Sequence, residues 1–166
     1  MELWDAYDRN GVLAGVDLVR GQKIPDGLFH LVVEVIVRHT DGTFLLMLRD
    51  YSKPNCPGLY EPGAGGSAMK GEEAKNAAAR ELFEETGISK KPEDLKPLYH
   101  AVRDASQSIY LGYLCVTDID KDAIVLQKGE TIGYKWVSPE DFKQAFDAPW
   151  FVPFMKPRCK EYLDTL

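Results

Sequence analysis

Hydrophobic positions along this chain fall into short β-branched runs and one long helical stretch. Trp4–Tyr7 and Gly15–Val19 flank Arg9-Asn10-Gly11, and an Asn-Gly pair between two such runs predicts a hairpin. Pro25-Asp26-Gly27 marks a further turn. Leu31–Val37 is almost continuously apolar, the pattern of a strand covered on both faces. Asp41-Gly42 turns it into a second strand over Thr43–Arg49. From Tyr51 to Gly66 the chain is rich in Pro and Gly, which predicts loops around a short strand near Leu59–Gly63. Glu72–Thr86 contains Ala, Lys, Glu, Arg and Leu with no Pro or Gly, and predicts a helix. Gly87 suits its left-handed cap, with Ile88 as the accompanying hydrophobic contact. Leu98–Arg103, Ser108–Val116 and Ile132–Val137 read as strands. Ser138-Pro139-Glu140-Asp141 opens a helix, with Ser138 as N-cap, Pro139 in the first turn and Asp141 at the reciprocal position. Pro153–Leu166 is a final helix that Pro157 bends or delays. No internal repeat or linker interrupts this order. It predicts one α/β domain over residues 1–166, with a mixed sheet between helices and residues 1–28 as an N-terminal hairpin extension.

Composition mostly excludes. A chain of 166 residues can bury a sizeable core without staples. Its 26 acidic and 20 basic residues leave a net charge of −6, which argues against a nucleic-acid polymer as partner. Cys56, Cys115 and Cys159 are widely spaced with no CxxC, so neither a disulfide framework nor a zinc knuckle is expected. The N-terminus lacks the basic and apolar regions of a secretory signal. Apolar runs are far shorter than the roughly 20 residues of a membrane span. A cytoplasmic protein with no membrane partner is the expectation.

Charge placement carries more than charge total. Glu81, Glu84 and Glu85 stand at i, i+3 and i+4 and so share one helix face. At about 100° per residue that face borders the small apolar stripe of Ala74, Ala77, Ala78 and Leu82. An acidic face that is merely solvated lies opposite the buried stripe; these carboxylates lie at its margin, where partial desolvation raises the cost of their repulsion. A hard divalent cation, Mg²⁺ or Mn²⁺, would remove it. Arg80 could fix one carboxylate by a charge-assisted hydrogen bond. On spacing alone, a solvated surface helix remains an equal reading.

The whole segment resolves that tie. Gly66-x5-Glu72-x7-Arg80-Glu81-Leu82-x-Glu84-Glu85-x-Gly87-Ile88 resembles the Nudix box at every fixed position over residues 66–88. Flanking segments, Pro57–Gly63 and Tyr134–Glu140, resemble the same family. The resemblance implies a Nudix-type α/β/α sandwich and Mg²⁺-dependent hydrolysis of a diphosphate bond in a nucleoside diphosphate derivative. It implies Glu81, Glu84 and Glu85 as metal ligands, one of them a base, with the Gly65 carbonyl as a further ligand. Glu130, six residues before Trp136, is a further ligand or base candidate; as an exposed loop carboxylate it would do neither. Glu72 would support the helix N-terminus and Arg80 would orient carboxylates. Arg49 and Lys53 could meet phosphates, and Trp4, Tyr7, Tyr60 and Tyr110 could stack on a base. Each aromatic is individually more at home in packing.

Leu3–Gly11 and Phe29–Val33 resemble the isopentenyl-diphosphate isomerase branch, which raises isomerisation as an alternative. The positions of the isomerase's catalytic thiol and one metal histidine hold Ala64 and Gly66, however. Cys56 lies eight residues from Ala64 and is not the missing thiol, and His30 reads more readily as a core histidine than as a ligand. A catalytically silent nucleotide-sensing module is the second alternative, against which the intact box speaks. Motifs of NADH-cleaving, ADP-ribose-cleaving and coenzyme A-cleaving subgroups are absent. Trp150–Phe154 could serve a homodimer or cap the core, and the core reading is favoured.

Overall fold

The computed structural model describes residues 1–166. Nine strands and three helices follow in the order β1 (Leu3–Tyr7), β2 (Leu13–Val19), β3 (His30–His39), β4 (Phe44–Arg49), β5 (Tyr60–Pro62), β6 (Ala64–Ser67), α1 (Ala74–Thr86), β7 (Lys96–Arg103), β8 (Ser108–Thr117), β9 (Thr131–Val137), α2 (Pro139–Ala145) and α3 (Lys156–Leu163). β1 and β2 form the hairpin expected from Asn10-Gly11. The other seven strands form one mixed sheet. β3 is its centre: it runs parallel to β8 from His30↔Ser108 to His39↔Thr117. On its other edge it pairs antiparallel with β6 over Val32–Val35 and meets β4 at Arg38↔Phe44. β4 continues outward to β5 and β9, and β7 lies outside β8.

Period-two alternation sorts the central strands between two cores. Val33, Val35, Val37, Leu45 and Met47 pack against Ala77, Ala78 and Leu82 of α1. Ile36, Phe44 and Leu46 face the other way, onto Phe142, Ala145 and Phe146 of the α2 region and onto Cys159 and Leu163 of α3. The sandwich of helix, mixed sheet and helices follows. Phe44 and Phe142 stack at 4.2 Å with neither ring exposed. Phe142→Ala is therefore expected to cost about 3–5 kcal/mol, read from urea unfolding.

Several elements differ from expectation. β6 had no separate signal, because Ala64-Gly65-Gly66-Ser67 lacks branched or aromatic side chains; its pairing with β3 makes it a strand. α1 begins at Ala74 rather than Glu72, since Glu72 instead accepts the Met69 N–H at 2.9 Å in the preceding turn. Gly87 is left-handed (φ 75°), and Ile88 is buried as the cap requires. Ser138 caps α2 by accepting the Asp141 N–H at 3.1 Å, but the Asp141 carboxylate accepts from the Ser138 hydroxyl rather than from its backbone. α3 is shorter than Pro153–Leu166: Pro157 sits in its first turn and starts the helix instead of bending it. In the C-terminal aromatic stretch Phe151 and Val152 are buried in the core, while Trp150 and Phe154 are partly exposed, at 40% and 48%. No helix is long and apolar enough to cross a membrane.

Candidate active site

α1 presents its carboxylates to a cavity of about 320 Å³ whose other walls are the β6 turn, the loop before β9 and the N-terminal hairpin. Gly65, Arg80, Glu81, Glu84, Glu85, Lys53 and Glu130 all line it, although they are spread over four stretches of chain. The helix positions its carboxylates unequally. Glu85 is 5% exposed, because it stands three residues after Leu82 and seven after Ala78, on the stripe that packs on β3. Glu84, on the outer side, is exposed.

Arg80 is the cation of this helix face. Its Nε and Nη2 donate to the two Glu72 oxygens at 2.8 and 2.9 Å, and Nη1 donates to Glu81 at 2.8 Å and to Glu84 at 3.3 Å. Nη2 also reaches the Ser67 carbonyl at 3.3 Å, tying the helix to β6. Burial pushes the Glu72 carboxyl up, but Arg80 and the Met69 N–H outweigh it and hold it below the ordinary value. For Glu81 the balance is reversed: burial, with the charges of Glu84 and Glu130 added, outweighs Arg80 and raises it. Glu85 has no basic partner; its carboxylate accepts the Gly65 N–H at 3.1 Å. Burial first, then Glu61, Glu81 and Glu130, hold its carboxyl well above the usual range. A site that keeps a carboxylate buried beside other carboxylates strains toward a cation or a proton.

Gly66 explains its own place in this geometry. A Cβ there would lie 2.3 Å from a Glu81 carboxylate oxygen. Because Arg80 holds that oxygen, any side chain at position 66 displaces the carboxylate rather than merely crowding it.

As the side chains stand, no three His, Cys, Asp or Glu groups converge on one point at metal-ligand range. The physical reason is visible in the partners: Arg80 holds Glu81 and Glu84, and Lys53 is ion-paired with Glu130. Five carboxylates line this cavity, Glu2 among them, and with hard oxygens as the donor set and Glu85 lacking any cation they fit Mg²⁺ or Mn²⁺.

Arg49 and Tyr60 are not brought to this cavity. Arg49 donates from Nη1 to both Glu61 oxygens, at 2.7 and 2.8 Å, and caps the Asn55 and Cys56 carbonyls, so it lines a neighbouring cavity instead. Tyr60 packs edge-on against Trp150 and lies under the Lys135 ammonium, at the far side of β4. His30 is stacked on Trp4 at 4.5 Å, and its Nδ1 lies 3.1 Å from the Gln107 carbonyl oxygen, as a core histidine would be. Burial lowers its pKa, opposed by that carbonyl. Ala64 is buried, Cys56 lines the neighbouring cavity, and burial pushes the Cys115 and Cys159 thiols up to about 11 and about 12.

Glu2 and Arg20 also line the carboxylate cavity, and sequence reasoning missed both. They arrive on the hairpin, where Arg20 donates to Glu2 at 2.7 Å. The hairpin is braced against the turn before α1: the Lys70 N–H donates to the Leu3 carbonyl at 2.8 Å and the Gly71 N–H to the Asp5 carboxylate at 2.7 Å. No local pattern announces contacts across more than 60 residues.

Comparison with known proteins gives one consistent result. The NUDIX domain model matches residues 28–156. A Nudix hydrolase of Listeria monocytogenes is 31% identical over 155 residues, covering 93% of this chain and 90% of that one. An isopentenyl-diphosphate Δ-isomerase of Corynebacterium diphtheriae is 28% identical, covering 93% of this chain and 90% of its own length. Among solved structures, a Deinococcus radiodurans protein superposes with TM-score 0.74 at 20% identity, covering 91% of this chain and 92% of that one. The NUDIX domain of Shewanella oneidensis NrtR, solved with ADP-ribose, superposes with TM-score 0.60 at 18% identity, covering 82% and 84%.

Proposed function

Because the chain belongs to the Nudix family, we propose that this hydrolase cleaves the phosphoric anhydride bond of a nucleoside diphosphate derivative by attack of water, with Mg²⁺ or Mn²⁺ bound to its carboxylate helix. The observation that carries this reading is Glu85, a buried carboxylate facing Glu61 and Glu81 with no basic partner of its own. Glu81, Glu84 and Glu85 would hold the ion, joined by the Gly65 carbonyl and Glu130. Bound there, the ion would neutralise diphosphate oxygens and make water a stronger nucleophile.

The chain's own residues have distinct tasks in this reading. Arg80, spanning Glu72, Glu81 and Glu84, orients the carboxylates and keeps the helix tied to β6. Lys53 also lines the cavity, and its pairing with Glu130 is one that an incoming phosphate would compete for. Glu130, so released, is free either to join the ion or to take a proton from the attacking water, a task one of the helix glutamates could share. The net charge of −6 is unfavourable for an anionic substrate, so the ion serves binding as well as chemistry. The hairpin of residues 1–28 belongs to the same working unit, since Glu2 and Arg20 close one wall.

The test is a panel of nucleoside diphosphates, triphosphates, sugar nucleotides, dinucleotides and ADP-ribose, assayed for phosphate release with and without added pyrophosphatase. Turnover of at least one diphosphate in Mg²⁺ is expected, lost on chelation by EDTA and restored by Mg²⁺ or Mn²⁺. Turnover that survives chelation would overturn the metal requirement. Silence across the whole panel, with ligand binding retained, would favour the sensing module. Isomerisation is disfavoured by Ala64 and by the contact of Gly66 with Glu81, and conversion of isopentenyl diphosphate to its isomer would reverse that judgement.

A further inference from the structure

A second cavity, about 550 Å³, opens beside the carboxylate site on the side of α3. The two are neighbours across one strand pair. Gly65 lines the first, and its register partner Glu34 lines the second, a cross-strand step of about 5 Å. Glu61 stands between them, close enough to both Glu85 and Glu34 for their charges to act on each other. A ligand with its diphosphate at α1 therefore has a second cavity within reach of its other end.

The second cavity has the opposite electrostatic character. Three arginines line it against two glutamates. Arg49 is committed to Glu61. Arg158 is committed to Glu34 and the Phe154 carbonyl, with its guanidinium over the Tyr110 ring at 4.0 Å. Arg103 has neither. Its guanidinium lies over the Phe154 ring at 4.3 Å, and the acid next to it, Asp104, is taken by Arg9. Nearby, the Ser106 hydroxyl is buried without a hydrogen-bond partner. An unpaired guanidinium fixed on an aromatic ring, beside an orphan hydroxyl, is an arrangement of donors awaiting acceptor oxygens. A neutral ring or an aliphatic chain would leave both unmet.

We infer that this cavity binds a second anionic group on the substrate, a phosphate or a carboxylate, held by Arg103 and Ser106 while the diphosphate occupies the carboxylate helix. This rests on the diphosphate hydrolase reading and adds to it a substrate class: nucleoside diphosphate derivatives that carry a further negative charge on the distal moiety. Arg103 is then a specificity-determining residue with no part in the bond cleavage.

Two matched pairs test it and separate the two sources of charge. ADP-ribose against its 1″-phosphate, whose added group sits on the distal ribose, asks for a phosphate; UDP-glucose against UDP-glucuronate asks for a carboxylate. Calorimetric affinity for the non-hydrolysable α,β-methylene analogues of both pairs is measured in Mg²⁺ with wild type and with Arg103→Ala, so that the carboxylate helix stays intact and hydrolysis does not intervene. The charged member of at least one pair is expected to bind at least about tenfold more tightly, and Arg103→Ala to remove that preference without weakening the neutral member. Arg103→Lys should retain part of it, and Ser106→Ala should reduce it. Equal affinity within both pairs, or a preference untouched by Arg103→Ala, would overturn the inference. That outcome is separable from failure of the hydrolase reading, which shows instead as no turnover of any diphosphate in the panel by the wild-type protein.

Discussion

Glu85→Gln is expected to lower kcat/KM for the best diphosphate substrate by at least about a hundredfold, and Glu84→Gln to do the same. At position 85 the amide keeps the size of the carboxylate and can still accept the Gly65 N–H through its oxygen, so packing at this buried position survives. What disappears is the negative charge that a divalent ion needs. Full activity in both variants would sink the metal-site assignment.

The same substitution has a second readout, free of substrate. Burial and the neighbouring Glu61 and Glu81 hold the Glu85 carboxyl well above its ordinary value of 4.5. Between that value and the raised one, the folded chain binds more protons than the unfolded chain. Stability of the metal-free protein is therefore fullest at low pH within this window and falls as pH rises through it. In Glu85→Gln the decline should become shallower, with the contribution of Glu81, also raised by burial, left in place. Urea midpoints measured from about pH 4.5 upward, in EDTA, check this. A decline as steep in the variant as in wild type would show that Glu85 does not titrate in this window. Taken together, the two readouts predict a variant that loses activity while losing less stability as pH rises, the mark of a charge kept for function at the expense of the fold.

Gly63→Ala should produce the largest loss of stability of any single added methyl. Gly63 is left-handed (φ 60°), and a Cβ there would lie 1.9 Å from the Val35 carbonyl oxygen. Backbone cannot step aside at Val35, which sits in the middle of β3 with β8 on one edge and β6 on the other. The left-handed conformation alone costs about 1–2 kcal/mol for a residue with a Cβ, and parting β6 from β3 brings the total to at least about 3 kcal/mol. Gly27→Ala is the control, since it shares the positive φ but has nothing within 4 Å of the new Cβ. Its loss should stay near the conformational cost. Equal shifts in the two urea midpoints would show that the close approach at Gly63 carries no weight.

Both predictions start from residues that local pattern singled out for other reasons, and this shows where local pattern ends. The apolar run Leu31–Val37 announced a strand covered on both faces, and it is one: Val33, Val35 and Val37 face α1 while Ile36 faces α2 and α3. The spacing Glu81, Glu84, Glu85 put three carboxylates on one helix face, and Gly87 ended the helix where a left-handed residue was needed. These features repeat over one turn or one pleat, so adjacent residues suffice to reveal them. β6 was invisible because its residues have no β preference and become a strand through their partner.

The sequence by itself determined the reaction class, the carboxylate helix and the order of the elements other than β6, since each depends on residues close to one another along the chain. Tertiary structure decided the rest. It made Glu85 a buried charge without a cation while giving Arg80 to Glu72, Glu81 and Glu84. It brought Glu2 and Arg20 from the hairpin to the cavity wall, and it turned Arg49 to Glu61 and away from the carboxylates. It also placed Arg103, unpaired, beside the site. Burial and ion pairing are contests among groups distant in sequence, settled by which partner the packed sheet brings within reach. The net charge of −6 is the same in any order of residues; only the folded chain distinguishes the carboxylates of this cavity that have found a cation from Glu85, which still lacks one.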